Sequence, residues 1–428
     1  MIWLLWGGCA WIGPAELARA TCDDPTGPGC PTGPTADTGE PPPPCYLDED
    51  GDRYGGAPGS AVLPCPEGQV ENDADCDDSD STVNPDGIEQ CDGIDSDCDG
   101  LPDRDLVSRG LTPFGSDLRA AIDAGGPDPV VVCPGTYPVT LLLDEDVEIQ
   151  GLVGADGERP RVGRVSLTST ALAVTMRHVV VDVEASPPTD QNRAFQVSEG
   201  STVTLEDVDL RNGVTPTVGA GLWVRNGATV VYDGGTIEGN RADERGGGVE
   251  GNGFVSVTLR GVHVVRNEAP DGAGLDFRSS GEVILEDLVI EQNTATSGGG
   301  GLLMGGTTTL MGERLEIRGN NAARGKGLFL TGGVAGLTDL VVESHSAGAA
   351  AIEIDSNFVS HDFVRGRISG NAGGGVMITA GQIVSAGVEW NGVPDNTPDV
   401  TFLFFGLPVE YDNEGCDFTC NNLACSCN

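Results

Sequence analysis

Seven times between residues 222 and 376 a cluster of small residues, mostly glycine, is followed by one apolar residue: Leu222, Val249, Leu275, Leu302, Leu328, Ile352 and Val376. The intervals are 27, 26, 27, 26, 24 and 24 residues. Each unit reads roughly GGG-L, a polar turn, then L-x-x-V-x-I-x-x-N, with three strand-like pieces and no helical period. A unit this short cannot bury its apolar face alone, so it must stack on its neighbours. The LxxLxLxxN signature of leucine-rich repeats is absent, and valine and glycine dominate instead. Coils stacked about 4.8 Å apart set equivalent residues over one another. Leu, Val and Ile then form inward columns, and glycines admit the bends. Asparagine recurs in register at Asn212, Asn240, Asn267, Asn293, Asn320 and Asn371, with Ser344 near the skipped place. Asparagine tolerates the left-handed conformation and can bond its amide along a column, so the series reads as a structural ladder.

Upstream of the repeat, FGSDLRAAIDAG (Phe114 to Gly125) is the one clear amphipathic helix, with Leu118, Ala121 and Ile122 on one side and Ser116 as its N-cap. It runs into VVVCPGTYPVTLLLDEDVEIQGL. From Phe114 onward, over about 300 residues, the chain resembles right-handed parallel β-helix proteins of the pectate-lyase-like architecture. The resemblance implies an all-β solenoid over residues 112–412, with that helix covering the first coil. Enzymes, adhesins and passive surface proteins share this fold, so it implies no activity. Solenoid ends expose unpaired strand edges, and the tail 413–428, NEGCDFTCNNLACSCN with Cys416, Cys420, Cys425 and Cys427, is expected to staple the far one.

Between Tyr46 and Asp105 stand 19 acidic residues against Arg53 and Arg104. The carboxylates alternate: Asp48, Asp50, Asp52; Asp73, Asp75, Asp77; Asp95, Asp97, Asp99. That spacing lets a tight loop turn several oxygens onto one ion, and Gly51, Gly55 and Gly100 permit the turn. Asp95 to Asp103 follows the first nine positions of a calcium loop with glycine at position six, although the glutamate at position twelve is missing. A solvated acidic linker is the plain alternative; Cys65, Cys76, Cys91 and Cys98 inside the segment argue against it.

YLDEDGDRYGG (Tyr46 to Gly56), DADCDDSDSTVNP (Asp73 to Pro85) and EQCDGIDSDCDG (Glu89 to Gly100) resemble the MopE-type metal-binding motif family of secreted and surface proteins of bacteria. The match departs at Ser96, where the family has Asn, and at Asp86-Gly87, which replaces a Gly-Ala pair. The family's name points to copper, but this segment has no His, Met or Trp. An all-oxygen donor set suits calcium. The expected ligands are Asp48, Asp50, Asp52, Asp73, Asp75, Asp77, Asp95, Asp97, Asp99 and Asp103, in an acidic disulfide-rich module over residues 45–105.

The chain has 428 residues, a net charge of −43 and one lysine, Lys326. Such charge excludes nonspecific nucleic-acid binding and disfavours anionic lipid surfaces. MIWLLWGGCAWIGPAELARA (1–20) resembles a signal peptide with an A-x-A site, without the usual basic n-region. Lipoprotein processing at Cys9 or Cys22 is the alternative, giving a lipid anchor. No later run has the roughly 20 apolar residues of a membrane span. Cleavage after Ala20 leaves twelve of the 13 cysteines, an even number that fits disulfides in an exported protein. Cys133, on a predicted strand, is the candidate free thiol. Residues 21–44, rich in Pro, Gly and Thr, read as an extended linker.

The solenoid offers little chemistry. Alternation sets Trp223, Glu250, Asp276, Leu303, Phe329, Glu353 and Met377 in one outward column, with Arg225 and Arg278 beside it. Glu250 and Asp276 on adjacent coils are the only candidate catalytic pair, since carboxylates near about 5 Å can hydrolyse glycosides. Ordinary solvated charge compensation along the sheet is the preferred reading of them. His178, His263, His345 and His361 are scattered, read as surface positions, and no GxSxG elbow or phosphate loop occurs. The sequence thus describes a secreted or bacterial outer-surface, non-enzymatic display scaffold with a calcium module and a protein or glycan partner. The rival is a carbohydrate-active β-helix enzyme, a polysaccharide hydrolase or lyase, with a calcium-stabilised accessory module.

Overall fold

Alternating apolar residues give each short strand one face that must be covered, and in this chain the next coil's strand covers its backbone while the opposite sheets cover that face. The computed structural model describes residues 45–427 apart from 57, 60–63, 88–93, 99, 101–104, 111, 155, 186–190, 390–395, 397, 405–406, 412–417 and 422–424. The chain divides into two compact units, Met1–Ser81 and Thr82–Asn428.

The second unit holds a β-solenoid of about ten turns. One parallel ladder begins Leu141–Leu143, Val165–Leu167, Phe195–Val197, Leu222–Val224, and continues through Val249–Asn252, Leu275–Arg278, Leu302–Met304 and Leu328–Leu330 to the long strands Ile352–Ser369 and Val376–Glu389. Its register pairs Leu222 with Val249, Leu275, Leu302, Leu328, Ile352 and Val376 in turn, the alignment read from the sequence. The ladder also extends to Leu141, Val165 and Phe195 upstream and Val400 downstream, where the glycine clusters no longer mark it. A second ladder includes Val147–Gly151, Ala173–Arg177, Ser256–Arg260 and Thr307–Glu313, and a third includes Arg161–Val162, Val180–Asp182, His263–Val265 and Glu316–Arg318. A short fourth strip joins Val214–Thr215, Arg241–Ala242, Glu268–Asp271 and Thr294–Gly298. The inward columns form one continuous apolar core from Val107 to Cys420.

The expected helix is shorter than its pattern, Leu118–Asp123, and Asp117 rather than Ser116 caps it by accepting from the Ala120 N–H at 2.9 Å. Leu118, Ala121 and Ile122 enter the solenoid core, and the Arg109 guanidinium donates to the Ala121 and Ile122 carbonyls. At the far end the pairing turns antiparallel. Val400–Phe404 meets Leu407–Tyr411, and Phe418–Asn421 meets Gln382 to Val384. Cys420 is buried and disulfide-bonded, and so is Cys133, which is therefore not the free thiol expected from its place beside a strand. Cys416 lies outside the described residues.

The asparagine ladder forms, one residue away from where the left-handed turns lie. Asn240 donates to Asn267, Asn267 to Asn293 and Asn293 to Asn320, and each also gives its amide to a backbone carbonyl. The positive φ falls on the residue before: Gly239, Arg266, Gln292, Gly319, Ser344 and Gly370. Asn212 is such a turn residue at φ 59°, and Gly213 holds the ladder place above Asn240. His345, not Ser344, fills the skipped rung and bonds Asn371, which in turn bonds Asn396.

Candidate metal centre

The first unit is built around a carboxylate cluster. Tyr46–Leu47 pairs antiparallel with Gln69–Val70, and a Cys45–Cys65 disulfide closes the loop between them. Cys76 and, in the second unit, Cys98 are also disulfide-bonded. Between strand and disulfide the acidic loop folds on its own side chains. Asp48 Oδ1 accepts from Gly51 N at 2.7 Å and its Oδ2 from Arg53 N at 3.3 Å. Asp50 Oδ1 accepts from Asp52 N at 3.2 Å, and Asp52 Oδ1 from Tyr54 N at 2.8 Å. Positive φ at Gly51 and Arg53 makes this tight wrapping possible.

The second acidic run is brought in by close approach to glycine. A Cβ on Gly56 would lie 2.9 Å from the Asp78 Cβ, so only glycine lets the two segments meet. Asp75 N donates to Gly55 O at 3.2 Å, and Glu49 N donates to Asp78 Oδ1 at 2.9 Å. The result is two overlapping carboxylate groups, Asp48/Asp50/Asp78 and Asp50/Asp52/Asp75, each with ligand atoms within 4.8 Å of one another.

Two of these oxygens carry an unmet demand. Asp75 is 8 % exposed, and Asp50 Oδ2 and Asp75 Oδ2 are buried without a hydrogen-bond partner. Burial pushes both carboxyls above their ordinary pKa, and the neighbouring carboxylates add to it: Asp52, Asp48 and Asp78 at Asp50; Asp52, Asp50 and Asp78 at Asp75. Buried acceptors facing like charges are what a bound cation would neutralise. The donor set is all carboxylate oxygen, so it fits a hard divalent cation, and five such side chains converge.

The structure sorts the ten expected ligands. Asp48, Asp50, Asp52 and Asp75 converge. Asp73 instead lies beside the Tyr46 phenol, whose pKa burial and this carboxylate raise, and Asp77 holds the Ser79 N–H and hydroxyl. Asp78 takes the place that alternation gave to Asp77. The chain turns after Asp75, whose Oδ1 accepts from Asp77 N at 2.8 Å, so the spacing is three there, not two. Asp95 and Asp97 lie in the second unit, in a loop of like design: Asp95 Oδ2 accepts from Gly100 N at 2.8 Å, with positive φ at Cys98 and Gly100. Asp99 and Asp103 lie outside the described residues.

On the solenoid, the column of Trp223, Glu250 and Asp276 has the expected register but is not an open surface. Glu250 is 1 % exposed and Asp276 0 %, and Leu303, Phe329 and Glu353 are buried with them. The glycine-rich segment ahead of each strand folds back over it. A Cβ on Gly246 would meet the Glu250 Cβ at 2.5 Å, and one on Gly272 the Asp276 Cβ at 2.6 Å. Asp276 gives both oxygens to Arg278, at 2.8 Å each, while burial still raises its pKa to about 7.

The histidines also differ from expectation, since His345 and His361 are buried. His361 Nδ1 accepts from Ala335 N, so its proton sits on Nε2, 2.7 Å from Ser356 Oγ. With that tautomer the imidazole donates to the serine and cannot act as its base.

Fold and site together define a carboxylate-loop module followed by a parallel β-solenoid. A family model described as "putative metal-binding motif", the copper-binding MopE type, matches residues 75–103. No curated protein and no solved structure matches the chain. Among the described residues, no helix is long and apolar enough to cross a membrane.

Proposed function

We propose that this is an exported, non-enzymatic scaffold in which a calcium-bound acidic module precedes a right-handed β-helix used for display and contact. The observation that carries the metal reading is the pair of buried, unpartnered oxygens, Asp50 Oδ2 and Asp75 Oδ2, inside a five-carboxylate cluster. Asp48, Asp50, Asp52, Asp75 and Asp78 hold the ion, and the Asp95 to Asp103 loop takes a second. Calcium is favoured over copper because no nitrogen or sulfur donor is in the cluster. The ion neutralises mutual repulsion among these carboxylates and so contributes folding energy to the acidic module.

Export is supported by disulfides at Cys45–Cys65, Cys76, Cys98, Cys133 and Cys420. Residues 1–20 act as the leader, cut after Ala20 or processed at Cys9 or Cys22, and 21–44 act as a spacer. The helix Leu118–Asp123 closes the first coil. The scaffold reading is supported over hydrolysis by Asp276, which is fully buried and bound to Arg278 instead of facing a substrate. Calorimetric titration of the full-length, metal-stripped protein with Ca²⁺, Mg²⁺ and Cu²⁺ tests this reading. Calcium is expected to bind most tightly and to raise the melting temperature; tighter copper binding, or no binding, would reject it.

A further inference from the structure

Glu250 poses a problem that the regularity of the solenoid leaves unsolved. Its side chain is almost wholly buried, and burial raises its pKa against the opposing pull of Arg245, Trp223 and Arg278. Arg245 Nε reaches only Oε1, at 3.3 Å. Oε2 is buried with no hydrogen-bond partner. A carboxylate oxygen left so is costly unless something donates to it. Beside it lies a cavity of about 200 Å³, lined by Glu199, Trp223, Arg225, Asn226, Arg245 and Asn252 from three successive coils. Glu199 and Asn226 at its rim are exposed.

The lining selects the ligand. Two guanidiniums, Arg225 and Arg245, stand with two carboxylates, Glu199 and Glu250. The wall therefore carries no net charge and favours neither an anion nor a cation. It is dense in both donors and acceptors, the asparagine amides included. Val218, Val224 and the part of Trp223 left uncovered supply a small apolar wall, the Trp223 ring being stacked with Arg193 at 4.2 Å and Arg225 at 5.2 Å from its centroid. A neutral ring with many hydroxyls and an apolar face meets all three conditions. We infer that this cavity is a binding subsite for one pyranose unit of a neutral glycan, whose hydroxyl donates to Glu250 Oε2. Arginine and asparagine N–H groups donate to the remaining sugar oxygens. The site binds and makes or breaks no bond.

Trp223 reports on its own cavity. Full-length protein is titrated with glucose, galactose, mannose and N-acetylglucosamine while tryptophan emission is followed. At least one sugar is expected to give a saturable change, and Trp223→Phe should abolish it. Glu250→Gln, close in shape, should weaken binding by about tenfold or more, as loss of a charged acceptor does. Asn226→Ala, at the exposed rim, should weaken it with no change in melting temperature. Glu282→Gln, on another exposed strand, should bind as the parent does. If no sugar gives a saturable change, or if a folded Glu250→Gln binds as tightly as the parent, the cavity holds only water and the inference fails.

Discussion

Asn267 donates twice to a single atom of Asn293: its backbone N–H and its Nδ2 both reach Oδ1, at 2.9 and 3.0 Å. Asn293 repeats the pattern toward Asn320. Replacing Asn293 with alanine therefore strands two buried donors on Asn267 and removes the amide bonded to Val264 O. The expected loss is about 2–4 kcal/mol, read by denaturant unfolding with the unfolding slope unchanged.

His345 interrupts that ladder. Its Nδ1 bonds Asn371, while its Nε2 is buried with no partner. His345→Asn would present an amide oxygen to Asn320 as Asn320 presents one to Asn293. The variant is expected to melt at a higher temperature than the parent, and a lower one would mean that the imidazole fills space an amide cannot.

The two buried histidines also set an acid limit. Burial lowers both pKa values from 6.5 to about 4. Between those values the unfolded chain binds protons the folded chain does not, so stability falls as pH falls through that window. Each contributes on the order of 3 kcal/mol. Asp276, raised to about 7, works the other way there, because the folded chain takes up the proton first. His345→Asn and His361→Gln should each lose less melting temperature than the parent on going from pH 7 to about 4.

Gly272 and Gly319 separate two uses of glycine. Both have positive φ, 53° and 59°. A Cβ on Gly319 meets nothing within 4 Å, whereas one on Gly272 lies 2.6 Å from the Asp276 Cβ. Gly319→Ala is expected to cost about 1–2 kcal/mol from the left-handed backbone alone. Gly272→Ala should cost clearly more and expose Asp276, returning its pKa toward the ordinary carboxylate range.

What the sequence revealed depended on whether the cause was local or periodic. In-register stacking forces equivalent residues into one column, so Leu222 to Val376 could be aligned by spacing alone. Alternation also placed Glu250 beside Asp276 correctly. It could not tell that this face was covered, because the covering segment around Gly246 and Gly272 is a chain reversal with no signature in the strand. Asn212 looked like a ladder member since asparagine suits both the rung and the left-handed turn before it. Likewise Asp77 and Asp78 are adjacent carboxylates of equal chemistry, and only the turn after Asp75 decides between them.

That turn gives the sharpest test of the metal centre. Asp78 shares a group with Asp48 and Asp50, while Asp73 and Asp77 are engaged by Tyr46 and Ser79. Asp78→Ala and Asp50→Ala should therefore each weaken calcium binding to the full-length protein about tenfold or more, whereas Asp73→Ala should change it far less. Gly56→Val should act like Asp78→Ala without removing any ligand, because its side chain would push Asp78 out of reach. Burial holds the Asp50 and Asp75 carboxyls above their ordinary pKa, so protons compete with the ion for these oxygens as the pH falls. Affinity should accordingly fall as pH is lowered into the carboxylate range, with proton release measurable by titration in buffers of different ionisation enthalpy. Equal affinity in the Asp78 and Asp73 variants would place the ion elsewhere in the acidic segment.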